Sequence, residues 1–280
     1  MQIVRSVPAL REVIAAFRQA GETVALVPTM GALHAGHVAL VAEAKLRADR
    51  VVASIFVNPR QFGSEEAALA YPRREAHDAR MLAEAGCAVL WAPPSEDMYP
   101  GDFATTVSVS VLSIAAPPAG ETRPALFDGV ATVVAKLFNQ VRPDVALFGE
   151  KDFQQLVVIR RMVRDLDIGV EIVGVPTQRD DDGLALSSRN AFLTAEERVA
   201  ARALPRALGE AAEALRRGED VATVLAAARR RLDDAGFALV DYVELRDAET
   251  LAPLESLDRP ARLLAAAGMG NTRLSDNLAV

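Results

Sequence analysis

The stretch 24-VALVPTMGALHAGHVALVAEAK-45 decides how the rest of the chain reads. Its opening residues, Val24 to Val27, are apolar without alternation, which marks a strand covered on both faces, as in parallel sheets. A turn rich in proline and glycine follows (Pro28, Gly31, Gly36), and a helical pattern sets in at Val38. Strand, turn and helix in that order place residues 28–37 at the carboxyl end of a buried strand, where parallel α/β sheets carry their ligands. The chain has 3 histidines, and two of them, His34 and His37, stand three apart in this turn.

The same alternation continues outward. Apolar runs at 23-TVALV, 51-VVASIFV, 88-AVLWA, 145-VALFG and 170-VEIVGV read as strands. Between them, 38-VALVAEAKLRAD, 74-REAHDARMLAEAG, 129-GVATVVAKLFNQV and 153-FQQLVVIRRMVRDL have helical spacing. This predicts an α/β fold with a Rossmann-like, doubly wound parallel sheet over residues 1–176. The N-terminal MQIVRSVPALREVIAAFRQAG reads as a first surface helix, since charged residues interrupt its apolar positions and no cleavage site follows. The start of 105-TTVSVSVLSIAAPPAGETRP alternates like an exposed strand, and its tail reads as a loop.

Beyond Asn190 the pattern changes. Thr194 and Glu197 stand in capping-box register ahead of 195-AEERVAARALPRALGEAAEALRRG, a helix that Pro205 should kink or interrupt. A helix at 221-VATVLAAARRRLDDAG, a strand at 239-LVDYVELRD and an apolar run at 263-LLAAAG complete a smaller C-terminal α+β domain, expected over 177–280. No internal repeat is present.

Composition narrows the function. The chain has 280 residues, 51% hydrophobic and 25% charged, with a formal charge of −7 and a pI near 5.2. That balance argues against nucleic acid, which demands a basic face. No segment has the roughly 20 continuous apolar residues of a membrane span. Cys87 stands alone, so an internal disulfide is excluded and a reducing, cytoplasmic setting fits.

Four polar loops fall at the expected carboxyl edge. In Pro28-Thr29-Met30-Gly31-Ala32-Leu33-His34-Ala35-Gly36-His37, unpaired N–H groups at a helix start, together with two imidazoles, suit phosphate. Gly31 to His37 comes within one residue of a phosphate-binding P-loop, but His37-Val38 replaces the Lys-Ser/Thr pair, so that reading fails. Zinc lacks a third ligand at persuasive spacing. In 57-VNPRQFG, Gln61 can hold a small polar substrate, although Asn-Pro and glycine alone make only a turn. In 149-GEKDFQQL, Lys151 stands at a helix start, against the dipole, which is understandable if an anion sits there; Asp152 and Gln155 lie i, i+3. In 183-GLALSSRNAFL, Ser187, Ser188 and Arg189 form a linker-like loop able to close on a triphosphate. Each has a plain alternative as a turn or a solvated charge run, and together they describe a nucleotide-handling site.

The ordered set 28-PTMGALHAGH, 58-NPRQF, 71-YPR with Asp78, 129-GVATVVAKLFN, 149-GEKDFQQL, 183-GLALSSRN and 271-NTRLSDN resembles the pantoate–β-alanine ligase family along essentially the whole chain. The H-x-G-H element alone is shared with nucleotidyltransferases, and Ser187-Ser188-Arg189 resembles the second signature loop of class I aminoacyl-tRNA synthetases. The resemblance implies that ATP and pantoate form pantoyl adenylate and that β-alanine then displaces AMP. By resemblance, His37 is the general acid, with His34, Lys151, Ser187, Ser188 and Arg189 also catalytic. ATP would lie against Met30 to His37, Gly149, Glu150, Lys151, Asp152, Gln178 and Leu186 to Arg189. Gln61 and Gln155 would hold pantoate, Gln61 would also meet β-alanine, and Asp78 would serve as a metal ligand, with Mg²⁺ on the phosphates. A homodimer and a C-terminal lid that excludes water are also implied. The chain departs from the family at 123-RPALF-127, where Ala125 and Leu126 replace a glycine and a histidine. A simple nucleotidyltransferase and a catalytically impaired nucleotide-binding relative are the competing readings.

Overall fold

The computed structural model describes residues 1–110 and 124–280. The chain divides into two compact units, one comprising 1–109, 124–150 and 158–176, the other 151–157 and 177–280.

The first unit is built on six strands: β1 (Gln2–Val4), β2 (Val24–Thr29), β3 (Arg50–Ile55), β4 (Val89–Trp91), β5 (Val145–Gly149) and β6 (Glu171–Val175). Every pairing is parallel and the order is β1-β4-β3-β2-β5-β6. The chain steps outward from β2 to β3 and β4 on one side and from β5 to β6 on the other. The switch point therefore lies between β2 and β5, and the crevice at their carboxyl ends is where this topology binds ligands.

The helices are α1 (Val7–Gln19), α2 (Ala35–Lys45), α3 (Glu65–Ala70), α4 (Glu75–Ala85), α5 (Ser95–Met98), α6 (Pro124–Val141) and α7 (Phe153–Asp165). Side chains alternate across the sheet. Ala25, Val27, Val51, Ala53 and Leu90 pack with Leu40, Val41 and Ala44 of α2 and Leu82 of α4. The opposite face carries Trp91, fully buried, whose indole Nε1 donates to Gln140 of α6 at 3.1 Å. That bond satisfies the ring's one polar atom, so its large apolar body is buried without an unpaired donor.

Three readings change. The N-terminus is not one helix, because Gln2–Val4 pairs with β4 before Ser6 caps α1 and Pro8 enters its first turn. Residues 105–110 alternate in exposure but form no strand. Arg60 explains this locally, because its guanidinium donates to the Thr105 carbonyl and the Thr106 hydroxyl, leaving the segment tied by a side chain. The helix expected from Gly129 starts five residues earlier, at Pro124, where proline suits a helix start. The loop 113-SIAAPPAGET, Arg123 and the side chain of Ala125 lie outside the described residues, and Leu126 is half-buried in α6.

The second unit contains α8 (Ala195–Ala200), α9 (Ala203–Arg216), α10 (Val221–Asp234) and the antiparallel sheet β7 (Leu239–Asp247), β8 (Ala261–Met269), β9 (Thr272–Ala279). Thr194 and Glu197 form the expected reciprocal cap on α8. The long helix is interrupted at residues 201–202, which leaves Pro205 in the first turn of α9, where a missing N–H costs nothing. Leu204, Leu208, Leu215, Leu232, Leu263 and Leu274 form its core with many alanines. The strand β9 was not expected from sequence. Gly270, at φ +54°, and Asn271 turn the chain back so that Met269 pairs with Thr272.

Candidate active site

The loop after β2 is built around a buried carboxylate. Gly31 and Ala32 both have positive φ, at 84° and 51°. For alanine this is an uncommon conformation, and something must hold it. Asp78 of α4, only 1% exposed, does so. Its Oδ2 accepts from the Ala32 N–H at 2.9 Å and its Oδ1 from the Leu33 N–H at 3.0 Å. A Cβ on Gly31 would stand 3.1 Å from the same Oδ2. The structure therefore corrects the reading of this loop as a set of unpaired amides. Those of Ala32 and Leu33 already bind an anion, supplied by the chain itself. Asp78, expected at a metal, has both carboxylate oxygens engaged in holding the loop.

Two further amides are held by the histidines. His34 is the N-cap of α2, and its Nδ1 accepts from the Gly36 N–H at 3.1 Å. His37, at the third helical position, accepts from the His34 N–H through its own Nδ1 at 3.2 Å. This is a capping box made from two imidazoles, their ring centroids 4.2 Å apart. Since each Nδ1 is an acceptor, each neutral ring carries its proton on Nε2. Both rings are thus set as Nε2–H donors at the positive end of a helix.

The turn Pro59–Gln61 after β3 is set by Asn58, 1% exposed. Asn58 Oδ1 accepts from the Arg60 N–H (3.2 Å) and the Tyr99 hydroxyl (2.9 Å), and Nδ2 donates to the Gly129 carbonyl at 3.0 Å. Burial pushes the Tyr99 phenol up to about 12, so it stays a donor. These partners leave the Asn58 amide one orientation. Its second N–H then donates to Gln61 Oε1 at 2.9 Å, which turns the Gln61 NH₂ away from Asn58. Gly129 must be glycine, because a Cβ there would meet the Arg60 carbonyl at 2.3 Å.

In the second unit Lys151, Ser187, Arg189, Arg273, Ser275 and Asp276 line a common pocket. Lys151 occupies the turn Glu150–Asp152 directly before α7. Asp152, 3.8 Å from its ammonium, is too exposed to neutralise it. Arg179 engages the buried Asp276 through two bonds of 2.7 and 2.9 Å, and Arg273 pairs with Asp241. Among the described residues, Lys151 and Arg189 line the pocket together with Arg273. Ser187 accepts from the Arg189 N–H at 3.3 Å, capping the turn Ser188–Phe192. The Leu186 N–H donates to the exposed Gln178 at its carbonyl, 2.9 Å away. Gln155 is half-buried in the first turn of α7.

The structure thus brings His34 together with His37 in the first unit, and Lys151 together with Ser187 and Arg189 in the second. Sequence reasoning missed Asn58, the loop-holding role of Asp78, and Ser275 with its neighbours. Asn58 carried a faint signal as an Asx turn residue. The lone Cys87 is buried, which pushes its thiol up to about 12, so it is no nucleophile.

A doubly wound sheet with His34-Ala35-Gly36-His37 capping the helix after β2 defines the H-x-G-H class of nucleotide-handling proteins. Within it, the chain belongs to the pantoate–β-alanine ligase family, whose model, Pantoate-beta-alanine ligase, matches residues 2–279. It is 65% identical over 280 residues to a pantothenate synthetase of Rhizorhabdus wittichii, covering 100% of this chain and 99% of that one. A crystal structure of pantoate-β-alanine (pantothenate synthetase) from Thermus thermophilus superposes with a TM-score of 0.92 at 47% identity, with 99% of each chain covered. A pantoate-β-alanine ligase from Francisella tularensis, solved with β-γ ATP and β-alanine, gives 0.81 at 32% identity, covering 99% of this chain and 97% of that one.

Proposed function

We propose that the chain condenses (R)-pantoate with β-alanine at the expense of ATP, through a pantoyl adenylate, releasing pyrophosphate and AMP. A carboxylate oxygen of pantoate attacks the α-phosphorus, and the bond to pyrophosphate breaks. The amine of β-alanine then attacks the acyl carbon, and the acyl–oxygen bond breaks to free AMP, the amine losing its proton. No protein nucleophile is needed.

The observation that carries this reading is the pair of imidazoles whose Nδ1 atoms are both occupied by backbone N–H groups. Two Nε2–H donors at a helix N-terminus are matched to phosphoryl oxygens on which charge develops. Within the second unit, Lys151 and Arg189, with the Ser187 and Ser188 hydroxyls, offer cationic and neutral donors suited to a triphosphate. Gln61 offers NH₂ donors, and so suits the hydroxyl and carboxylate oxygens of pantoate and β-alanine; Gln155 is the second pantoate ligand in this reading. Adenosine is assigned to the backbone near Met30, Gly149, Asp152, Gln178 and Leu186. A simple nucleotidyltransferase would have no use for the Asn58–Gln61 arrangement.

Among the described residues no three His, Cys, Asp or Glu side chains are grouped to hold a metal ion. Mg²⁺ enters this reading as the companion of ATP, neutralising phosphate charge, a role for which one or two carboxylates suffice. A homodimer and a cytoplasmic location are carried from the family resemblance and the composition. No described helix is long and apolar enough to cross a membrane.

Pantoate labelled with ¹⁸O in its carboxylate tests the chemistry. One labelled oxygen should appear in each AMP released, read by mass spectrometry. Unlabelled AMP, or ADP as the product, contradicts an acyl adenylate.

A further inference from the structure

Lys151 is the most exacting side chain to place in the second unit. The residue lies in the turn before the positive end of α7, and its ammonium, on a chain of four methylenes, would, left alone, swing into solvent. Two residues of β9 prevent that. Ser275 Oγ accepts from Lys151 Nζ at 3.0 Å. Asn277, 3% exposed, donates from Nδ2 to the Lys151 carbonyl at 2.9 Å. The strand thus holds the lysine at both its charged tip and its backbone.

Asn277 is itself locked. Its Oδ1 accepts from Arg262 Nε at 2.6 Å, so Nδ2 must face Lys151. Its N–H donates to Asp276 Oδ1 at 2.7 Å, and its carbonyl accepts from Arg179 at 3.2 Å. The Ser275 hydroxyl, accepting from the ammonium, holds it beside the pocket that both residues line.

We infer that Ser275 and Asn277 are positioning residues for Lys151, setting its ammonium for the α-phosphoryl transfer. This rests on the adenylation reading above. Ser275 acts on the ammonium directly and Asn277 acts on the backbone that carries it. Each therefore alters the chemical step while leaving the acid substrate's own contacts alone.

The test is pantoate-dependent pyrophosphate–ATP exchange with the full chain, wild type alongside Ser275→Ala, Ser275→Thr and Asn277→Asp. A displacement near 1 Å can cost about 100-fold in rate. We expect kcat to fall about 10-fold in Ser275→Ala and about 100-fold in Asn277→Asp, whose carboxylate repels the Lys151 carbonyl. KM for pantoate should stay within about 2-fold, because Ser275 and Asn277 act through Lys151 rather than on the acid. Ser275→Thr keeps the hydroxyl and should retain at least a third of the rate. In a Lys151→Ala background, Ser275→Ala should lower the residual exchange no further. Ser275→Ala above half the wild-type rate overturns the inference, and so does an undiminished effect without Lys151 or a failure of threonine to rescue. Asn277 is buried, so if Asn277→Asp does not fold, the Ser275 variants decide. A wild-type protein with no exchange sinks the adenylation reading itself, whereas normal exchange in every variant sinks only the role of β9.

Discussion

Alanine at His37 reduces pantoate-dependent adenylation by about two to four orders of magnitude, the usual range for a lost proton-donating or oxyanion-stabilising side chain. Two functions end together in that variant. The His34 N–H loses its acceptor, and the phosphate loses an Nε2–H donor. They are separable, because a glutamine at the third helical position can still close a capping box. His37→Ala should therefore lose about 0.5–2 kcal/mol of stability along with the rate. His37→Gln should recover most of the stability and little of the rate. Thermal denaturation beside pyrophosphate exchange checks both. A glutamine variant with near-normal exchange would make His37 a cap and nothing more.

Asp78→Ala is expected to be the most damaging change to the first unit. It strips the acceptor from two N–H groups at once, in a loop where Ala32 holds a left-handed conformation. Removing the acceptor from a buried, charge-assisted pair of bonds costs ~2–5 kcal/mol. For a chain of this size that corresponds to a fall in melting temperature of roughly 3–9 °C. The imidazoles ride on the same loop, so adenylation should drop at least about 100-fold as they move. Asp78→Asn, keeping one carbonyl oxygen but facing an amide with an NH₂, should fall between. A metal-binding role predicts otherwise: unchanged melting, and activity restored by raising Mg²⁺. That pattern would return Asp78 to the metal.

Much of this architecture was legible because burial leaves a mark on composition. The apolar runs at Val24, Val51, Val89, Val145 and Val173 could only be strands of a doubly covered sheet, and Gly31 and Gly36 marked the loop where two of the three histidines gather. The strand β1 escaped because three residues followed by Ser6 and Pro8 look like a helix entry. The strand β9 escaped because Ser275, Asp276 and Asn277 are polar where a strand of a small sheet is usually apolar. Those same three residues are polar because they hold Lys151 and Arg179.

The site was legible in its residue types and hidden in its bonds. Lys151 stood out by opposing a helix dipole, yet its partner Ser275 lies 124 residues away. Asp78 sits 46 residues from Ala32 and 45 from Leu33, and a carboxylate on a helix face normally means only solvent. The resemblance to a family placed Asp78 near a metal. The geometry shows a carboxylate engaged with backbone amides, a partnership that no spacing rule encodes. Gln61 was read from the sequence as a ligand holder, but the direction of its amide follows from Asn58, Gly129 and Tyr99 together.

The most direct test of the whole account is exchange of labelled pyrophosphate into ATP with Mg²⁺ and pantoate present and β-alanine withheld. Exchange should be rapid and should vanish when pantoate is omitted, because the adenylate forms reversibly before any amine is needed. Exchange without pantoate, or none until β-alanine is added, would contradict it.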